Sequence, residues 1–206
     1  MNTKSESPRP PKPALATELL WAILGLLLTI FSTFVEVFVT NPPWEWFNQG
    51  IYSRSLGITY QVGAVLLTGC LGGRNAGAFA QGGYLLLGMA WLPIFGSGGG
   101  WDSWQKPTFG YLLGFIPGAW VCGALAFRYP PKIETLALSA LAGLGVIHLV
   151  GSLYVCGLAL LGIGELSLAT LAPALYSFSL AALPGQIILV CLTAVLAYFL
   201  RKILFL

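Results

Sequence analysis

The chain has 206 residues, of which 57% are hydrophobic and only 8% charged, with a formal net charge of +3. Soluble domains carry about 25% charged residues, so most of this surface is built to face a bilayer rather than water. The basic residues are scattered along the chain, which excludes a nucleic-acid-binding stripe.

Residues 1–15 open with "MNTKSESPRPPKP", polar and proline-rich, the composition of a disordered tail. Residues 16–206 then read as one transmembrane domain. Crossing the hydrocarbon takes about 20 helical residues, and hydropathy predicts six spans: 16–39, a short one at 58–72, 76–94, 109–127, 135–161 and 184–205. Pro184 fits the first turn of the last helix, where its missing N–H costs nothing. Residues 164–183, "GELSLATLAPALYSFSLAAL", remain as an apolar connector that reads equally as a lid, a short helix or an early start to the last span. The expected fold class is thus an all-α integral membrane protein with six transmembrane helices.

Charge distribution fixes the expected orientation. With both termini cytoplasmic, Lys4, Arg9, Lys12, Arg74, Arg128, Lys132, Arg201 and Lys202 lie inside and only Arg54 and Lys106 outside, as the positive-inside rule requires. The inner loops, "GGRNAG" and "RYPPKIE", are then short. The outer ones, "TNPPWEWFNQGIYSRSLG", "GSGGGWDSWQK" and the connector, are long and aromatic, which suits capture of a ligand from outside.

No catalytic or metal set stands out, so neither an enzyme nor a cofactor is expected. Cys70, Cys122, Cys156 and Cys191 lie in apolar runs without CxxC spacing and read as small core or lipid-facing residues. The one histidine, His148, has no metal-ligand spacing around it. As an ionisable residue within a span it is a candidate ligand contact or a bond between helices. Glu36 is expected near the outer end of the first helix. "GSGGG" lacks the GK[ST] of a phosphate loop. Trp44, Trp46, Trp91, Trp101 and Trp104 divide between an interfacial belt and a wall over an apolar ligand. Buried amides at Gln61 and Gln81 need a partner, either another helix or a ligand. Glycines in "GCLGGRNAGAFAQGGYLLLG" and "GYLLGFIPGAWVCGALA" let helices approach closely.

Several of these stretches, in order, resemble the BioY family, the substrate-capture (S) components of energy-coupling-factor (ECF) biotin transporters. "TYQVGAVLLTGCLGG" (59–73) is similar to the family's T-x-Q and following apolar run, and "RNAGAFAQGGYLLLGMAWLPIF" (74–95) to its R-x-G…Y-L-L-L-G…L-P-x-F. "PTFGYLLGF" (107–115) is close to its P-T-G-G-Y-L-x-G-F. "GVIHLVGSLY" (145–154) and "LPGQIILV" (183–190) match more loosely. The resemblance implies a six-helix S-component fold in a bacterial cell membrane and a biotin pocket beneath the outer loops. It also implies as partners a transmembrane T component and ATPase subunits. Three departures stand out. Gln186 and Leu189 replace the family's Asp and Lys after Pro184-Gly185, Gly98 stands where many members have arginine, and Lys106 stands where glycine usually precedes Pro-Thr. Helix one also lacks a strict A-x-x-x-A, a pattern S components often use to dock the T component.

Biotin would need amide or hydroxyl partners for its ureido ring, aromatic walls for its apolar part and a cation or N–H cluster for its carboxylate. Gln61, Gln186, Thr108, Tyr111 and Tyr84 are candidates for the first, Trp104 and Tyr154 for the second. Lys106, beside the Pro-Thr motif, is the candidate for a relocated cation, with a solvated lysine as the alternative; His148 completes the expected substrate-binding set. Thr108 and Tyr111, three residues apart, share a helix face. The alternative functions are an S component for another vitamin, an intramembrane enzyme and an assembly subunit.

Overall fold

The computed structural model describes residues 15–164 and 166–204. The expected tail at 1–15 lies outside the described residues except for Leu15, which begins the first helix. The chain runs α1 (Leu15–Thr33), β1 (Glu36–Thr40), a one-turn α2 (Trp46–Gln49), β2 (Ser53–Thr59), α3 (Gln61–Ala90), α4 (Pro107–Ala126), α5 (Ile133–Leu161), α6 (Leu171–Leu175) and α7 (Leu183–Leu204). A π-helical turn at Tyr176–Leu180 joins α6 to α7. Four segments are long and apolar enough to cross a membrane by length and composition: α1, α4, α5 and the continuous stretch Leu171–Leu204. This is a mostly helical membrane protein.

Helix α3 is not a rod. Gly73 has φ 83° and ψ −177°, which breaks the helix; only glycine takes that φ without steric cost. The chain folds back there, so the two arms, 61–72 and 74–90, run side by side. A methyl built on Gly77 would stand 3.4 Å from the Cα of Gly69. At the far end of the arms, Gln61 Nε2 donates to Tyr84 Oη over 2.8 Å. The second and third expected spans are thus the two arms of one helical hairpin, with the "GGRNAG" stretch as its turn.

The hairpin is the centre of the packing. α1 follows it through a column of polar contacts: Asn75 Nδ2 donates to Glu18 Oε1 at 3.0 Å, Gln81 Nε2 to Thr29 Oγ1 at 3.1 Å, and Thr33 Oγ1 meets Tyr84 Oη at 3.2 Å. α4 lies on the other side, close enough that a methyl on Gly69 would meet Ala119 O at 2.8 Å. α5 packs antiparallel to α4 with similar intimacy: methyls on Gly114 and Gly151 would meet Ile147 O at 2.8 Å and the Tyr111 ring at 2.3 Å. Without a hydrophobic drive between helices in lipid, such close backbone approach supplies the dispersion and polar contacts that hold them. Arg201 of α7 ties the Gly73 end together. Its guanidinium donates to Cys70 O at 2.8 Å and Ala126 O at 2.9 Å, satisfying two helix-terminal carbonyls. Among the described residues Arg74, Arg128, Lys132, Arg201 and Lys202 gather at this end, Arg54 and Lys106 at the opposite one.

The structure corrects the expected end of the first helix. Residues 36–40 form β1, paired antiparallel with β2 in a hairpin. The run Val37-Phe38-Val39-Thr40 is β-branched and aromatic, which favours the extended chain. Asn41 closes the tip by donating to Gly50 O at 3.0 Å and accepting from Tyr52 N at 3.2 Å. Glu36 accordingly sits on a strand and accepts from Ser55 Oγ at 2.9 Å. The cysteines are free; Cys70 and Cys122 are buried, Cys156 half-buried and Cys191 exposed.

Candidate functional site

At the end opposite Gly73, residues 97–108 and the 164–178 part of the connector face each other across a pocket of about 760 Å³, within the range of small-molecule sites. Each wall has a local cause. The 97–106 stretch is a tied loop rather than a free glycine tether: Gly100 N donates to Gly88 O at 2.8 Å, and Trp101–Gln105 forms a 3-10 turn. The Tyr154 hydroxyl donates to Trp104 O, pinning that turn to α5. Beneath it runs an aromatic series, Tyr84–Phe95–Phe109–Tyr154, with ring centroids 5.3, 6.4 and 6.0 Å apart. Pro107 then opens α4 at its first turn. On the connector side, Gly164 holds φ 71° so closely against Gln105 that a methyl there would meet its carbonyl oxygen at 2.8 Å, which closes the back of the pocket.

Lys106 and Thr108 of the expected set line this pocket. Lys106 Nζ donates to Ser97 O at 2.9 Å, leaving two of its three N–H groups for another acceptor. It makes no ion pair among the described residues, although Asp102 lines the same space. Ser177 and Phe178 add a hydroxyl and an aromatic wall from the connector.

Five expected residues form a second layer rather than the lining. Tyr111 Oη meets Ser179 Oγ at 2.6 Å, and Ser179 Oγ meets Ser152 Oγ at 3.2 Å. The Tyr111 ring also packs on Phe178 at 6.3 Å and edge-on to His148 at 5.8 Å. His148 Nε2 lies 2.6 Å from Gln186 Oε1, so Nε2 donates in that pairing, and Nδ1 is buried with no partner among the described residues. Tyr154 supports the 3-10 turn by its bond to Trp104 O, and Trp104 is half-buried against the core.

Gln61 and Tyr84 are turned to each other, away from the pocket. Tyr84 is fully buried and also donates to Ile94 O at 2.8 Å, so its phenol joins the ends of α1, both arms of α3 and the start of the 94–106 loop. Leu189, where the resembled family has lysine, is buried in the interior of α7. Residues that sequence reasoning did not single out are Ser97, Asp102, Gln105, Ser177, Phe178 and Ser179. The hydroxyl and aromatic content of "YSFS" in an otherwise aliphatic connector was the available signal for the last three.

Comparison with known proteins agrees with this architecture. Residues 2–205 match the model of the BioY family. The chain is 30% identical over 186 residues to an uncharacterized 21.2 kDa protein of Cyanophora paradoxa, covering 90% of this chain and 95% of that one. It is 43% identical over 94 residues to the biotin transporter BioY of Thermotoga maritima, 45% of this chain and 55% of that one. Among solved structures it resembles the S-component for biotin from an ECF-type ABC transporter, with a TM-score of 0.67 at 21% identity over 94% of this chain and 95% of that one.

Proposed function

This chain belongs to the BioY family, and from that premise we propose that it binds biotin in the pocket between the 97–108 loop and the connector and delivers it for uptake as the substrate-specific component of an ECF-type transporter. The observation that carries the reading is that Lys106 and Thr108 stand on one wall of a pocket that also offers the apolar surfaces of Leu166, Pro173, Ala174 and Phe178. A carboxylate needs a cation or N–H cluster when it leaves water, and Lys106 has two N–H groups to offer. Thr108 and Ser177 supply donors and acceptors for the ureido ring, and Phe178 a face for the thioether ring. Tyr111, His148, Gln186, Trp104 and Tyr154 support that lining from behind.

The same reading orients the molecule. Counting the two arms of α3 separately gives six crossings, and the basic cluster at the Gly73 end puts that end and both termini in the cytoplasm, with the pocket opening outside a plasma membrane. A transmembrane coupling component and ATPase subunits then supply the energy, since no phosphate-binding loop exists in this sequence.

Titration calorimetry on the purified protein in nanodiscs tests it, with biotin, biotin amide and a panel of other vitamins as ligands. Saturable binding of biotin, weaker binding of biotin amide and no binding of the other vitamins is the expected result. Binding of a different vitamin, or of none, would overturn it.

A further inference from the structure

The ligand pocket carries charges of both signs and does not neutralise them. Asp102 lines it together with Lys106, yet the two form no ion pair. Lys106 Nζ is turned to Ser97 O at 2.9 Å, and the Asp102 carboxylate has no hydrogen-bond or ionic partner among the described residues. The turn that carries them keeps them apart. Trp101–Gln105 is a 3-10 turn, which rises about 2.0 Å per residue, so positions 102 and 106 stand about 8 Å apart along it. That turn is braced on its inner side. Ser103 is buried and Trp104 half-buried, Tyr154 donates to Trp104 O, and Gly164 presses on Gln105 O. Asp102 itself stays exposed, so an acid is held on a fixed wall of the pocket with its acceptors unused.

We propose that Asp102 reads the ring end of the ligand, its carboxylate accepting one ring N–H while Lys106 takes the ligand's own carboxylate. This rests on the reading of the pocket as a biotin site, and it assigns the ring to an acid outside position 186, where the resembled family's acid is replaced by Gln186. The two N–H groups of a cyclic urea point to opposite sides of its carbonyl, so one carboxylate takes one of them. The hydroxyls of Thr108 and Ser177, which line the same pocket, remain for the second N–H and the carbonyl. A carboxylate differs from a hydroxyl or an amide in one testable respect: it binds a cationic donor more strongly than a neutral one. In 2-iminobiotin a cyclic guanidinium replaces the ring urea, and a guanidinium keeps its charge at neutral pH. A ring site built from neutral groups rejects that cation, because a desolvated charge needs an opposite one. Asp102 supplies it, so this pocket accepts the charged ring as well as the neutral one.

The test is titration calorimetry at neutral pH on the full-length protein in nanodiscs, with biotin and 2-iminobiotin as ligands. The wild type is expected to bind both. Asp102→Asn keeps an acceptor and removes the charge, so it should weaken 2-iminobiotin about tenfold more than biotin. Asp102→Ala removes the acceptor as well and should weaken both ligands about tenfold or more. Glu45→Gln, which removes an acid of the same end outside the pocket, should leave the ratio of the two affinities unchanged. Thermal unfolding checks that the variants keep the wild-type fold. A wild type that binds biotin and not 2-iminobiotin, an unchanged ratio in Asp102→Asn, unchanged biotin affinity in Asp102→Ala, or an equal shift in Glu45→Gln would each overturn the role of Asp102 while leaving the biotin reading in place. A wild type that binds neither ligand would overturn both.

Discussion

The amide of Gln61 donates to the phenol of Tyr84 over 2.8 Å across 23 residues of what is nominally one helix. In a continuous helix those residues would stand about 35 Å apart; the reversal at Gly73 brings them together. Tyr84 then has three partners, Gln61, Thr33 and Ile94 O, and no exposed surface. Its removal therefore bears on stability rather than on ligand. Tyr84→Phe strands buried polar groups at a cost of about 1–3 kcal/mol, seen as a lower melting temperature in detergent. Biotin affinity should stay within about twofold. A tenfold weaker affinity at unchanged melting temperature would move Tyr84 into the binding site.

In the proposed binding mode, recognition of the ligand's negative charge is concentrated at Lys106. Losing a hydrogen bond to a charged group costs about 1.5–3 kcal/mol, so Lys106→Ala should weaken biotin roughly 10–100-fold. Biotin amide, which lacks the carboxylate, should bind wild type and variant alike. Calorimetry on the four combinations is a double-mutant cycle with the ligand as one partner. Equal losses for both ligands would mean that Lys106 acts on the loop through Ser97 O instead.

The connector is fastened where Ser179 meets both Tyr111 and Ser152. Tyr111→Phe removes one bond worth about 1 kcal/mol and should speed amide hydrogen exchange across 176–180 about fivefold, without changing exchange in α3. Ser152→Ala should add to the effect. Unchanged exchange would show that the ring contacts of Phe178 hold the connector without the hydroxyls.

Two glycines in neighbouring helices should respond oppositely. A methyl at Gly114 would meet Ile147 O at 2.8 Å and Ile147 Cα at 3.0 Å, both backbone, while one at Gly145 meets nothing within 4 Å. Gly114→Ala should therefore destabilise by about 1–3 kcal/mol. Gly145→Ala should be neutral or stabilising by up to about 1 kcal/mol through helix propensity. Thermal unfolding of the two variants side by side checks the pair, and a Gly114→Ala protein as stable as wild type would mean the α4–α5 contact can spread.

Local signals were readable before the structure. Pro184 marked a helix start, and the apolar run lengths located every long helix to within a few residues, except where α1 gives way to β1. That boundary was hidden because Val37, Phe38 and Val39 are as apolar as the helix before them; only pairing with residues 53–59 decides their conformation, and pairing is non-local. The site divided in the same way. Lys106 and Thr108 could be singled out because they lie in and beside the stretch that resembles the family's P-T-G-G-Y-L-x-G-F. Ser177 and Phe178 reach the pocket only through the packing of the connector on Tyr111. Gln61 and Tyr84 were expected at the ureido ring because they carry an amide and a hydroxyl, and such groups bond a side chain as readily as a ligand.

On the six-crossing reading, the reversal at Gly73 also bears on how the chain enters a membrane. The arms of α3 carry Gln61, Thr68, Asn75 and Gln81 together with many glycines, and α3 is not among the segments long and apolar enough to cross a membrane by length and composition. They meet that requirement in another way: the packing of α1, α4 and α7 buries Thr68 and Gln81, and the large side chains the second arm leaves exposed are Phe79, Leu86 and Leu87. The demand for apolar surface thus falls on the outer helices and on one face of the second arm, while the polar residues of the hairpin are carried on its buried face, delivered into the bilayer as one folded-back unit.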